Sequence, residues 1–123
     1  MTTAAGESHL DLVDDAPGKE PPVAVAARIA AAVAACPDVA RLYDGAVGEI
    51  ATYGRGRRVG GVRMMYDTSP RIEVHIVVRY GRPLPDIAET VRAEVEQQRG
   101  SGALADAAVN VHIADLDDTL AST

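Results

Sequence analysis

Residues 71–80, RIEVHIVVRY, set the reading of everything around them. Ile72, Val74, Ile76, Val78 and Tyr80 recur at the two-residue period of a β-strand and share one face. Arg71, Glu73, His75 and Arg79 take the other face, with Val77 its one apolar member. A buried side chain of this size contributes roughly 1.5–3 kcal/mol. Five on one face predict a central strand covered on one side only.

The same alternation continues upstream. In residues 62–66, VRMMY, the side chains of Val62, Met64 and Tyr66 fall with the core and those of Arg63 and Met65 opposite. The connection DTSP, residues 67–70, is too short for a parallel crossover, so the two strands form an antiparallel hairpin. Downstream, GRPLP at residues 81–85 breaks the strand. Pro85 opens a helix with Leu84, Ile87, Val91 and Val95 as its apolar stripe and Gly100 as its stop. Residues 108–116 close the fold as a strand, with Val109, Val111 and Ile113 inward and Asn110, His112 and Ala114 outward.

Further upstream, residues 47–53, VGEIATY, read as a strand and residues 54–58, GRGRR, as a basic loop. Pro21 and Pro22 open a first helix that carries Val25, Ile29, Val33 and Cys36 on one stripe and stops at Pro37. The predicted order is α-β-β-β-α-β. Only one face of each strand is consistently apolar, so the fold class is α+β: two layers, an antiparallel or mixed sheet with both helices on one face. Residues 21–118 make this single domain. Residues 1–20 are acidic and poor in large apolar side chains, a predicted disordered tail in which Leu10, Leu12 and Val13 read as a short docking motif or as filler. Residues 119–123 are expected to fray.

At 123 residues the chain is long enough to fold without metal or disulfide staples. Its single cysteine, Cys36, excludes an internal disulfide and sits on the buried stripe, which makes it a core thiol and favours a reducing, cytoplasmic setting. The acidic start does not resemble a signal peptide. The longest low-charge run, residues 21–37, is shorter than a membrane span. The net charge of −6 is segregated. Residues 1–20 carry five acids against one Lys, residues 41–82 eight Arg against four acids, and residues 83–123 eight acids against two Arg. Such poles suit head-to-tail self-association or an ionic partner.

Few residues are candidates for chemistry. No nucleophile, base and orienting partner occur together, and the absence of Trp and Phe argues against an aromatic-lined pocket. An enzyme is not expected, nor a cofactor. His75 and His112 both point to the open sheet face and become neighbours if their strands pair; with Glu73 close by, a transition-metal site is conceivable there. It lacks the HxH, HxxxH or cysteine spacing of a strong metal motif, so no metal is expected. The segment GRGRRVGG, residues 54–61, has neither the Lys-Ser/Thr ending nor the following helix of a phosphate cradle. Arg55, Arg57 and Arg58 beside Tyr53 offer an RNA contact, the alternative to a protein-binding surface. Together with Arg63, His75 and Arg79 they are the expected interaction residues.

Three stretches in sequence order resemble one family: GVRM at residues 61–64, RIEVHIVVRYGRPLPDIAETVRAEVE at 71–96, and VNVHI at 109–113. A strand ending in VxYG, a proline-started helix and a closing VNVHI strand are similar to the alkaline-shock, or envelope stress response, family of bacteria. The run from Leu42 to Val62, with GEIATYGRGRRVGGV, resembles its actinobacterial branch. The resemblance covers residues 23–116. It implies a non-enzymatic scaffold protein of the cell-envelope stress response, which forms homo-oligomers and stays cytoplasmic. Some relatives collect at the inner face of the membrane through a small membrane-anchored partner, without inserting themselves. The resemblance supplies no catalytic residue.

Overall fold

Strand β5 (Arg71–Arg79) is the axis of the computed structural model, which describes residues 20–66, 69–100 and 102–117. The preceding elements are helix α1 (Pro22–Ala34) and strands β1 (Val39–Leu42), β2 (Ala51–Gly54), β3 (Arg57–Gly60) and β4 (Val62–Met65). Helix α2 (Leu84–Gln97) and strand β6 (Ala108–Asp117) follow. Along one side of β5, β4 pairs antiparallel with its first half, Val62 opposite Val74, and β1 with its second half, Leu42 opposite Ile76. Along the other side β6 runs parallel to β5 for its full length. The main sheet is therefore mixed, and the fold is α+β with its helices on one face.

That face carries the core. Ile72, Val74, Ile76 and Val78 form one cluster with Val25, Ile29 and Val33 of α1 and Ile87, Val91 and Val95 of α2. Val109 is buried in the same cluster, and Met64, Val111 and Ile113 pack on it. Each helix has a proline in its first turn, where the missing N–H costs nothing. The Arg28 guanidinium reaches from α1 to the last turn of α2, with Nη2 donating to the Gln98 carbonyl at 2.9 Å. A cation there also complements the negative end of the α2 dipole. Cys36 is buried, as its place on the α1 stripe predicts. Burial, and then the Glu94 and Asp38 carboxylates, push its thiol pKa up and away from reactivity.

The structure corrects several expectations. Residues 47–50 are loop, with Val47 87% exposed, and the strand expected there is confined to Ala51–Gly54. The basic stretch 54–58 is not an open loop but the tip and second strand of a β2–β3 hairpin, a separate two-stranded sheet. β1 is a strand the residue pattern did not predict. Tyr80, Tyr66 and Leu84, expected in the core, are exposed at or beyond the ends of their elements. Val77, expected to face water, is buried, though outside the main cluster. Residues 1–19 of the predicted tail, with His9, and the predicted frayed end lie outside the described residues, as do Asp67 and Thr68 of the expected turn; Glu20, the last residue of that tail, is described and pairs with Arg28.

The hairpin tip turns on two residues, Arg55 at φ 52° and Gly56 at φ 73°. This is the type I′ geometry whose twist matches that of antiparallel strands. A Cβ on Gly56 would meet nothing within 4 Å, so only backbone strain opposes one. Gly56→Ala is expected to lower unfolding stability by about 1–2 kcal/mol, the cost of a left-handed residue, in a urea melt with unchanged m-value.

A bulge interrupts the β5–β6 register. Ile76 lies opposite Ile113, but Val77 lies opposite Asp115, which leaves Ala114 as the extra residue. The extra residue inverts the alternation. Asp115 and Asp117 come opposite Val77 and Arg79 on the open face, and Leu116, not a carboxylate, comes opposite the fully buried Val78.

Candidate functional site

The open face of the main sheet concentrates the polar side chains. Each gets there by alternation and register. Glu73 and His75 are two residues apart on β5 and so share a face. β4 sets Arg63 opposite Glu73, and β6 sets His112 opposite His75. The Arg63 Nη2 donates to Glu73 Oε1 at 2.8 Å. Glu73 Oε1 lies 3.5 Å from His75 Nε2, and both side chains are about 15% exposed. The His75 and His112 rings stack, centroids 4.4 Å apart and planes within 11° of parallel. His112 is exposed.

Buried polar atoms without partners are costly in so small a fold, and two of them lie here. His75 Nε2 and Arg63 Nε are both buried without a hydrogen bond. At 3.5 Å the glutamate acts on the imidazole through its charge, not through a well-formed hydrogen bond. Burial opposes the charge on Glu73, but the hydrogen bond and charge of Arg63 win, and the carboxyl pKa falls below its ordinary 4.5. Burial, and then the charge of His112, push the His75 pKa below its ordinary 6.5, and the Glu73 carboxylate only partly offsets them. His75 is thus neutral at pH 7.

That shift has a definite sign in stability. Between its depressed folded pKa and about 6.5, His75 binds more protons unfolded than folded, so acid favours unfolding. Stability is expected to fall as pH drops below about 6.5, and His75→Gln should flatten that slope in urea melts taken from pH 7 to pH 5. An unchanged slope would assign the acid sensitivity to other groups.

The other expected interaction residues lie apart. Arg55, Arg57 and Arg58 are exposed on the β2–β3 hairpin, a different sheet. Arg58 is engaged within the fold: its Nη2 donates to Asp44 Oδ2 at 3.0 Å and to the Gly48 carbonyl at 2.8 Å. Its Nε donates to the Tyr53 hydroxyl at 3.3 Å, with the guanidinium 6.0 Å from that ring's centre. Arg79 is a strut, its Nε donating to the Pro37 carbonyl at 3.0 Å. Of the six residues, only Arg63 and His75 come together. Glu73 and His112 complete their group. A signal for it stood in the sequence: the tripeptide Val-His-Ile occurs at residues 74–76 and again at 111–113, and the two copies pair residue for residue.

A separate cleft of about 390 Å³ opens between the start of α1 and the α2–β6 connection, lined mainly by Pro22, Val25, Tyr66, Arg99, Ala103 and Leu104. It is largely apolar, and among the described residues that line it there is no nucleophile–base pair. No family model, curated protein or solved structure matches the chain. No described helix is long and apolar enough to cross a membrane.

Proposed function

We propose that this chain is a non-enzymatic interaction and scaffold protein that pairs with a second copy of itself through β6. The observation that carries this reading is the outer edge of β6. The strand is ten residues long, and among the described residues it pairs only with β5. The Ala108 N–H donates to the Pro70 carbonyl. The alternation of a parallel ladder then turns the amides of Val109, Val111 and Ile113 away from β5.

Folds that keep an edge monomeric blunt it with Lys, Pro, inward charge or a bulge. Residues 108–113 contain none of these, and the β6 bulge at Ala114 lies beyond them. The charges of β6 sit at one end, Asp115 and Asp117. Antiparallel pairing of two copies sets those acids opposite the partner's uncharged first half, whereas parallel pairing sets Asp against Asp. Tyr80, Leu84 and Leu116 add a partly apolar shallow cleft at the acidic end. The opposite edge offers less: the Thr52 hydroxyl of β2 donates to the Val62 carbonyl at 2.6 Å, covering the start of β4.

This reading agrees with the envelope stress resemblance, under which recruitment to the inner membrane surface runs through a membrane-anchored partner. Co-purification from native cells tests that part. An RNA-binding role through the hairpin is disfavoured by the commitment of Arg58 to Asp44, Gly48 and Tyr53. Self-association is tested by light scattering at tens of micromolar and low salt. The expected result is a dimer or larger species. Asn110→Asp, a charge added on exposed β6 near the partner's acids, should shift it toward monomer, and the neutral Asn110→Gln should not. A strict monomer for the parent chain overturns the proposal.

A further inference from the structure

We infer that Glu73, His75 and His112 form a binding site for a divalent transition-metal ion of the zinc, cobalt and nickel class. One ligand atom from each of the three lies within 4.8 Å of the other two. A tetrahedral ion with bonds near 2.0–2.1 Å holds its donors roughly 3.4 Å apart. Closing the difference takes little more than an ångström of movement, which falls to His112, exposed on the edge strand, at the cost of its stacking on His75. The donors are backed by a rigid frame, because two of them stand on the central strand and the third is fixed by in-register pairing with it.

The second observation is the orphan nitrogen. His75 Nε2 is buried, makes no hydrogen bond and faces the carboxylate. A metal ion bound between them would satisfy it, with the His112 ring turned out of the stack so that its in-plane nitrogen lone pair points at the ion. Two nitrogens and one carboxylate suit borderline ions; magnesium and calcium require mostly oxygen. Three protein ligands leave a coordination position open toward solvent on the sheet face. Arg63 is the competitor. Its guanidinium holds Glu73 Oε1 at 2.8 Å, so an ion must share or displace that contact. The guanidinium therefore acts as a brake on affinity, which gives the site a property that adventitious histidine binding does not have.

The test is titration of the full-length, untagged chain with Co²⁺, followed by its visible absorption, with Zn²⁺ as displacing ion. The expected result is one saturable site per chain, cleared by Zn²⁺ and indifferent to excess Mg²⁺. His112→Ala should weaken Co²⁺ binding at least tenfold, and His9→Ala should leave it unchanged. Arg63→Gln should tighten it severalfold, a gain that a misfolded variant cannot imitate. Binding by His112→Ala equal to the parent, dependence on His9, competition by Mg²⁺, or no gain in Arg63→Gln would each overturn the assignment. None of these outcomes depends on the oligomeric state, so this inference and self-pairing through β6 fail separately.

Discussion

Alanine at position 61 is expected to cost about 3 kcal/mol of folding stability, from a left-handed backbone worth about 1–2 and overpacking worth about 1–3. Gly61 holds φ +86°, and a Cβ built there would lie 2.8 Å from Leu42 Cβ and 3.0 Å from Leu42 Cδ2. A Cβ cannot rotate out of the way as a side-chain end can. Movement of Leu42 would also strain the pairing of β1 with β5. The site has no slack on its other sides. The Gly61 N–H donates to the Ile50 carbonyl at 2.8 Å, and its carbonyl accepts the His75 N–H at 2.9 Å. The His75 carbonyl in turn accepts the Tyr43 N–H at 2.8 Å. At one residue of the central strand the chain thus leaves the main sheet for the hairpin excursion and returns to it. A loss of this size corresponds to a fall of roughly 10–20 °C in Tm for a domain of this length. Differential scanning calorimetry of Gly61→Ala beside Gly56→Ala separates strain from collision. Equal losses in the two variants would show that Leu42 yields freely.

Ile76→Ala is expected to be comparably severe, about 3–4 kcal/mol. Ile76 is fully buried between Leu42 of β1 and Ile113 of β6, its partners on either side. Truncation removes the apolar contact joining the two wings of the sheet to the helices, and the β-strands around it cannot collapse into the gap without breaking register. Against a typical reserve of about 5–15 kcal/mol, this is a large fraction. Val77→Ala is the control. Val77 is also buried, but it faces away from the helices and outside the main cluster. Its neighbours there can relax into solvent-facing space, and the expected loss is about 1–2 kcal/mol. Chemical denaturation midpoints at constant m-value check both. A Val77 variant as unstable as the Ile76 one would mean that the open face is itself a second core.

The two helices and the inward faces of β5 and β6 were legible because each repeats its period several times, and the β4–β5 hairpin because a connection so short permits only antiparallel pairing. Ile87, Val91 and Val95, or Ile72 through Val78, leave little room for another reading. What escaped was short or was decided by tertiary context. β1 is four residues, VARL, too few to establish a period. The hairpin tip at Arg55-Gly56 lacks the Asn or Asp that marks a type I′ turn, so a strand, a turn and a strand looked like one basic loop. The candidate site was partly legible: alternation put Glu73, His75 and His112 on the open face, but only the parallel pairing of strands 37 positions apart makes them neighbours. Arg58 looked available for a ligand because nothing in its neighbourhood announced that Asp44 would fold back to it.

The parallel pairing of β5 with β6 has a consequence for how the chain is made. β4 and β5 can zip as soon as both have left the ribosome, since only residues 66–70 separate them. β6 cannot, because it follows β5 only after the whole of α2 and its connection, and a parallel partner must wait for that crossover. During that interval Ile72, Val74, Ile76 and Val78 stand on a strand with one naked side. A nascent chain in that state is sticky in the manner that recruits holdase chaperones. That exposure lasts until residues 80–108 have been synthesised and β6 has docked on β5.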